Sequence, residues 1–238
     1  QQEASRKLGF NAQRTMQAAQ KLYEGIDIGG ETVGLITYMR TDGVQAAPEA
    51  IAEARSVIGD RFGAAYVPEQ PRIYKTKAKN AQEAHEAIRP TDFGKLTAGA
   101  DAQQIKLYEL IWRRSIASQM APAAIDKTEI KIAISSRKEY FSAKGEVLKF
   151  DGFLKVYGGG KDDVILPALS DGQDLKRSSL SATQVFSRAP ARYSEASLVK
   201  ALEENGIGRP STYAPTISTI QAREYVVDAT YSALKGIG

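Results

Sequence analysis

Cysteine is absent from the 238-residue chain, which excludes disulfide bonds and thiolate metal sites. No apolar run approaches the roughly 20 residues that a membrane-spanning helix needs. The opening residues QQEASRKLGF also lack the apolar stretch of a signal peptide. These absences fit a protein of the reducing cytoplasm. Because the chain begins without methionine, we expect it to be a piece of a longer protein.

A large excess of charge of either sign is missing as well. The formal net charge is +4 and the isoelectric point is about 9.1. This mildly basic balance permits a polyanionic partner without requiring one. Hydrophobic residues make up 42% and charged residues 25% of the chain, as in ordinary folded proteins. A chain of this length can form one large domain or two to three small ones.

The first half of the chain has the apolar periodicity of helices. Asn11 is a candidate N-cap and Gly25 a stop for the first helix, whose expected buried face carries Met16, Ala19 and Tyr23. The other expected helices cover residues 48–59, 80–90 and 101–120. The second of these begins with Asn80 and Glu83 in a capping-box spacing and ends at Pro90. The last has an apolar stripe of Ile105, Tyr108, Trp112 and Ile116.

The period changes near Pro122, where KTEIKIAISS alternates with Ile130, Ile132 and Ile134 on one face. VILPAL and LSATQVFS continue the β character. Helices return in SEASLVKALEENG and STYAPTISTIQAREY, which GIGRP joins. The predicted fold class is therefore α+β, with a helical domain over residues 1–123, a β-rich domain over 124–190 and a further helical segment over 191–238.

The stretch GLITYMRTDG places Tyr38 at the end of an apolar run, two residues before Arg40. In an extended segment these two side chains point to the same side. A tyrosine hydroxyl becomes a useful nucleophile toward phosphate when cations stabilise the charge that forms. A core tyrosine beside a surface arginine is the simpler interpretation of this stretch alone.

The stretch AHEAIRPT contains His85, the only histidine of the chain, and Arg89 four residues later. On a helix the two side chains would share one face and could grip a single phosphate. A structural or merely exposed histidine is the alternative.

The stretch GIGRPSTYAPTISTIQ places Ser211 or Thr212 at the start of a helix behind a glycine-rich turn. Free backbone N–H groups there would form an anion site, to which Arg209 could add its guanidinium. An ordinary capped helix and a duplex-reading helix-turn-helix over residues 194–223 are the alternatives.

In this order, these stretches resemble the motifs of the type IA DNA topoisomerase family, and within it the bacterial topoisomerase I group. SRKLGFNAQRTMQAAQKLYE and PARYSEASLVKALEENGIGRPSTYAPTISTIQAREYV extend the resemblance from residue 5 to about residue 227. It implies pieces of a toroidal enzyme, with a helical tyrosine-bearing domain and a β-rich hinge.

The resemblance implies a role for each motif residue. Tyr38 would form a covalent 5′-phosphotyrosyl bond to one DNA strand, Arg40 would stabilise the scissile phosphate, and His85 would contact the DNA backbone there. Arg209 and Thr212, with Ser211 beside them, would hold DNA near the cleavage position. Arg89 is added as a DNA contact on helical geometry alone.

The resemblance also implies partners. They are DNA that is single-stranded or negatively supercoiled, in the bacterial cytoplasm at the nucleoid, with a monomeric protein and no membrane. The complete family enzyme holds Mg²⁺ in an acidic cluster of a TOPRIM domain. No D-x-D-x-E pattern occurs here, so we expect no metal ligands in this chain and no relaxation activity from it alone.

Two departures from the family pattern stand out, namely Gly43 in place of the usual serine and GIDIGGETV as an apparent surface loop before Tyr38. A non-catalytic module that binds single-stranded DNA is the alternative function.

Overall fold

The computed structural model describes residues 1–28, 31–75, 85–159 and 162–227. It divides into two compact units, residues 1–120 with 193–238 and residues 121–192. The first contains α1 (Gln2–Leu8), α2 (Ala12–Glu24), β1 (Ile26–Ile28), β2 (Glu31–Val33), α3 (Pro48–Phe62), α4 (Ala102–Gln119), α6 (Glu195–Glu204) and α7 (Tyr213–Ala222). The second contains β3 (Ala124–Ala133), β4 (Tyr140–Phe150) and α5 (Leu154–Tyr157). The predicted α+β class is confirmed.

The C-terminal helices belong to the same unit as the N-terminal ones. The sequence predicts a separate segment over 191–238, whereas in the structure α6 packs on α1 and α7 packs on α2. The reason is a shared apolar core, which contains Ala12, Val199, Tyr213, Ala214 and Ile217. The Glu195 carboxylate also accepts a hydrogen bond from Ala12 N–H at 2.7 Å, at the start of α2.

Helix α2 has the predicted limits. The Asn11 side chain accepts from Arg14 N–H at 2.8 Å, and Gly25 ends the helix with φ 97°. The predicted buried face is only partly right, because Tyr23 is exposed at 40%. The buried residues of α2 are Ala12, Thr15, Ala18, Ala19 and Leu22.

Helix α3 begins at Pro48, as predicted, but it runs past Gly59 to Phe62. A glycine inside a helix costs only about 1 kcal/mol relative to alanine. The neighbouring Ile58 is completely buried, and its packing outweighs that cost.

Helix α4 supplies much of the core. Asp101 caps it by accepting from the N–H groups of Gln103 and Gln104 at 2.8 and 2.9 Å. Tyr108, Trp112 and Ile116 are buried as predicted, whereas Ile105 is only half-buried. Among the residues that the structure describes, no helix is both long and apolar enough to cross a bilayer.

The apparent loop before Tyr38 contains two short strands. Strand β1 pairs with β2 in antiparallel register, with Ile26 opposite Val33. The described residues on either side of 29–30 are therefore paired strands rather than an irregular loop.

The second unit is built on one long antiparallel pair, in which β3 runs from Ala124 opposite Phe150 to Ala133 opposite Tyr140. The predicted strands VILPAL and LSATQVFS are wrong. Val164 forms only an isolated bridge to Glu146, and residues 165–192 contain no strand. A strand needs a neighbour for its backbone groups, and the described part of this chain supplies none along residues 165–192.

Candidate active site

Tyr38 lies at the end of a buried extended segment, where two other rings meet it. Its chain neighbours Ile36 and Met39 are almost completely buried, whereas Tyr38 is half-buried. The Tyr38 ring centroid lies 5.3 Å from that of Tyr23, edge to face, and 5.2 Å from that of His85. The structure therefore brings together Tyr38 and His85, which the sequence places in separate motifs.

Hydrogen bonds between two extended segments produce this proximity. Ile36 and Pro90 form an antiparallel bridge. Thr37 N–H donates to the Arg89 carbonyl at 2.9 Å, and the Thr37 hydroxyl donates to the Ala87 carbonyl at 2.7 Å. The predicted helix over 80–90 is wrong in its described part, because residues 85–90 are not helical and bond to the Tyr38 segment. Asn80 and Glu83, its predicted cap, lie outside the described residues.

Arg89 does not share a helix face with His85, so the predicted joint grip on one phosphate is wrong in its geometry. The Arg89 side chain is only 15% exposed. Its Nε and Nη2 donate to the two Glu86 carboxylate oxygens at 2.8 and 3.3 Å, and its Nη1 donates to the Pro90 carbonyl at 3.0 Å. The guanidinium faces the protein, and its role as a DNA contact loses the basis on which it was predicted.

The Glu86 carboxylate also holds the far end of the loop that follows Tyr38. It accepts from Ala47 N–H at 3.1 Å, at the start of α3. The Arg89 hydrogen bond lowers the pKa of Glu86, the Ala47 hydrogen bond lowers it further, and partial burial opposes both. Glu86 is therefore held in its charged form.

Gly43 permits a close approach between the loop of residues 38–46, here called the Tyr38 loop, and the segment of residues 85–90. A side-chain carbon at this position would collide with the His85 backbone carbonyl and lie 3.0 Å from that of Glu86. The Thr41 hydroxyl accepts from Gly43 N–H at 2.8 Å and tightens the same turn. The departure from the family's usual serine thus has a steric consequence, because a serine would require the two segments to separate.

Arg40 is exposed and lines an open cavity of about 920 Å³ between α2, α7 and the start of α4. Ser211 lines the same cavity, so the structure brings these two predicted residues to one surface. The other polar residues around it are Gln13, Gln17, Gln20, Lys21, Asp101, Gln103 and Ser218. Two cations, one carboxylate and several amides and hydroxyls therefore face this open space.

The turn between α6 and α7 leaves the Arg209 side chain exposed. Its backbone N–H groups form hydrogen bonds within the turn. The N–H groups of Thr212 and Tyr213 donate to the Arg209 carbonyl at 2.8 and 3.1 Å. The Thr212 hydroxyl accepts from Arg209 N–H at 2.8 Å. Gly208, with φ 76°, closes the turn. Two of the N–H groups at the start of this helix are thus already paired, and Arg209 remains as the exposed cation.

No group of three or more histidine and carboxylate side chains that could hold a metal ion occurs among the described residues. The Asp163 carboxylate, in the glycine-rich turn, accepts from Leu148 N–H instead. The described residues therefore do not fit a Mg²⁺ site.

The model of the DNA topoisomerase family matches residues 1–236. The chain belongs to the DNA topoisomerase family. It is 54% identical over 237 residues to DNA topoisomerase 1 of Rickettsia conorii and 47% identical over 240 residues to that of Xylella fastidiosa. Each match covers 95% of this chain and 30% or 29% of the relative, so the chain spans about a third or less of these proteins.

A solved structure of full-length topoisomerase I from Thermotoga maritima supports the same assignment. It matches with a TM-score of 0.79 and 37% identity, over 96% of this chain and 37% of that one. The predicted resemblance to the bacterial topoisomerase I group of the type IA family is confirmed.

Sequence reasoning missed three features of this candidate site. Tyr23 packs on Tyr38, Glu86 bridges Arg89 and Ala47, and Lys21 lines the same cavity as Arg40. Tyr23 and Lys21 lie on α2, so only the packing of that helix brings them to this site. The three-residue spacing of Glu86 and Arg89 could have indicated their ion pair, although here the pair forms in a non-helical turn.

Proposed function

We propose that this chain carries the strand-cleaving centre of a type IA DNA topoisomerase, with Tyr38 as the nucleophile. The observation that carries the proposal is the contact of the Tyr38 ring with His85, two residues before the exposed Arg40. A tyrosine in contact with an imidazole, with an exposed guanidinium two residues along the chain, is suited to binding and attacking a phosphodiester.

The reaction is a transesterification. The Tyr38 hydroxyl loses its proton as its oxygen bonds to phosphorus, and the bond from phosphorus to the 3′-oxygen breaks. That oxygen leaves as a 3′-hydroxyl after it gains a proton, and the 5′-phosphate stays on Tyr38. One phosphoester bond replaces another, so resealing by the reverse reaction needs no ATP.

Three side chains are proposed to act on the DNA backbone. Arg40 follows the tyrosine by two residues and would offer a fork of donors to the scissile phosphate. His85 contacts the backbone next to the Tyr38 ring. Arg209, with Ser211 near it, holds the strand farther along, whereas the Thr212 hydroxyl supports the turn that presents Arg209.

The substrate we propose is single-stranded or negatively supercoiled DNA. The cavity that Arg40, Lys21 and Ser211 line is open and rich in amides and hydroxyls, which suits an unpaired strand. We further propose a monomer acting at the bacterial nucleoid, with Mg²⁺ held by parts of the complete protein outside the described residues.

A non-catalytic module for single-stranded DNA is the second candidate. It is favoured by the polar cavity, which would bind DNA whether or not Tyr38 reacts. The deciding experiment traps the complete protein on a single-stranded oligonucleotide, digests the adduct and maps it by mass spectrometry. A nucleotide on the peptide that contains Tyr38 supports the first function. Tight binding without an adduct supports the second.

A further inference from the structure

Arg89 and Glu86 form the most enclosed ion pair that the structure gives near Tyr38. Nε, Nη1 and Nη2 of the guanidinium each donate a hydrogen bond within the protein, two of them to the Glu86 carboxylate. Such a planar, two-point pair fixes the orientation of both side chains. An arginine used in this way presents little to a phosphate.

The backbone of Arg89 holds the near end of the Tyr38 loop. Its carbonyl accepts from Thr37 N–H at 2.9 Å, and its own N–H donates to the Thr37 hydroxyl at 2.9 Å. Thr37 directly precedes Tyr38, so any shift of Arg89 moves the residue to which the nucleophile is attached.

The Glu86 side chain holds the far end. It accepts from Ala47 N–H at 3.1 Å, where α3 begins, while Ala87 N–H donates to the Gln45 carbonyl at 2.7 Å. The loop from 38 to 46 is therefore tied at both ends to one short segment, residues 86–89. The Glu86–Arg89 ion pair connects the hydrogen bonds at the two ends of this loop.

We propose that Glu86 and Arg89 are positioning residues, which clamp both ends of the Tyr38 loop and so set the place of the tyrosine hydroxyl, and that Arg89 is not a DNA contact. This inference rests on the proposed function, because it concerns the geometry of the same nucleophile. Misplacing a reacting group by about 1 Å can reduce a rate about 100-fold. The clamp therefore matters to the cleavage step more than to DNA binding.

The test uses the complete protein and a single-stranded oligonucleotide. It measures the rate constant of adduct formation at saturating DNA, the dissociation constant and its dependence on salt. Arg89→Lys keeps the charge but loses the fork, and Glu86→Gln keeps the shape but loses the charge. For both we expect the rate constant to fall about 10- to 100-fold, with the dissociation constant and salt slope of the wild type.

The matched control is Arg113→Ala, because Arg113 forms an exposed pair with Glu109 on α4 at 3.8 Å. This variant should have the rate constant, dissociation constant and salt slope of the wild type. Combining Glu86→Gln with Arg89→Lys should reduce the rate little more than the stronger single change, since the two residues act as one unit.

Two results would overturn the clamp. Weaker binding with a salt slope flattened by about 0.7 in a third variant, Arg89→Gln, which removes the charge, would make Arg89 a phosphate contact. A lowered melting temperature with the wild-type rate constant, measured well below melting, would make the pair merely structural. An unmodified Tyr38 in the wild-type protein is a different result, because it overturns the proposed function together with the clamp.

Discussion

At the scale of single residues, the site combines a half-buried tyrosine with cations that differ in accessibility. Arg40 and Arg209 are exposed, whereas Arg89 is tied to Glu86. The sequence predicts a DNA contact for all three arginines, for Arg40 and Arg209 from the family resemblance and for Arg89 on helical geometry alone. In the structure, Arg40 and Arg209 remain candidate phosphate contacts, whereas Arg89 holds the Tyr38 loop in place.

Replacement of Tyr38 tests the nucleophile directly. In the complete protein, Tyr38→Phe should abolish covalent capture of DNA and leave binding to single strands nearly unchanged, because the ring still packs on Tyr23 and His85. Denaturing gels and a binding titration measure the two quantities. Tyr23→Phe is the matched control, which should retain the adduct. Covalent capture by Tyr38→Phe would refute the assignment.

Replacement of the exposed arginines tests the phosphate contacts. Arg40→Ala and Arg209→Ala should each weaken binding to single strands of any sequence and flatten the salt slope by about 0.7, the contribution of one neutralised phosphate. Affinity measured across a salt series checks this, with Arg113→Ala as the control. If the slope stays at the wild-type value while the melting temperature falls, the residue belongs to the fold instead.

At the scale of elements, the site depends on two segments that approach each other closely. The turn that contains Gly43 lies against the backbone of His85, and the preceding residues bond to the segment that ends at Pro90. Neither segment is a regular helix or part of a larger sheet. Their conformations are stabilised by each other, which makes the site sensitive to steric changes.

Gly43→Ala should expose this sensitivity. The added carbon collides with the His85 carbonyl, so we expect a loss of about 1–3 kcal/mol in the free energy of unfolding and slower adduct formation. Chemical denaturation measures the first quantity. The matched control is Gly59→Ala inside α3, where the added carbon makes an ordinary 3.7 Å contact with Val67. That change should stabilise the protein by about 0.5–1 kcal/mol. An equal gain from Gly43→Ala would show that the two segments are not in close contact.

Helix α4 supplies a prediction about alkaline pH. Burial raises the pKa of Tyr108 to about 12, and the charges of Asp92 and Glu53 add to the rise. An unfolded tyrosine titrates near 10, so the stability that Tyr108 contributes is complete below pH 10. It is lost as the pH rises toward about 12.

The melting temperature should therefore fall between about pH 10 and 12, and less steeply in Tyr108→Phe. At neutral pH the same change should cost about 1–2 kcal/mol, because the Lys95 carbonyl loses the hydroxyl that donates to it at 2.9 Å. An identical pH dependence in the two proteins would contradict the prediction.

At the scale of the whole molecule, the chain is much shorter than the relatives that it matches. It spans about 30% of the Rickettsia conorii relative, and its described residues include no carboxylate cluster that fits Mg²⁺. Strand passage requires an opening through which a second strand moves, which we expect the rest of the complete protein to frame.

The chain by itself should therefore bind single-stranded DNA but fail to relax a negatively supercoiled plasmid at any Mg²⁺ concentration. A plasmid relaxation assay with the complete protein as the positive control checks this. Circular dichroism of the chain alone confirms that it is folded in the same buffer. Relaxation by the chain would show that its own residues hold every catalytic group.

The sequence by itself determined the family, the α+β class and most helix limits. Helix starts depend on interactions within a few residues, so they can be predicted from the sequence, as at Asn11, Pro48 and Asp101. Only the tertiary structure decided what His85, Glu86 and Arg89 do, because their partners Tyr38, Thr37 and Ala47 lie far away along the chain. The capping-box spacing of Asn80 and Glu83 and the stop at Pro90 predicted a helix there, and hydrogen bonds to the distant Tyr38 segment stabilised a different conformation.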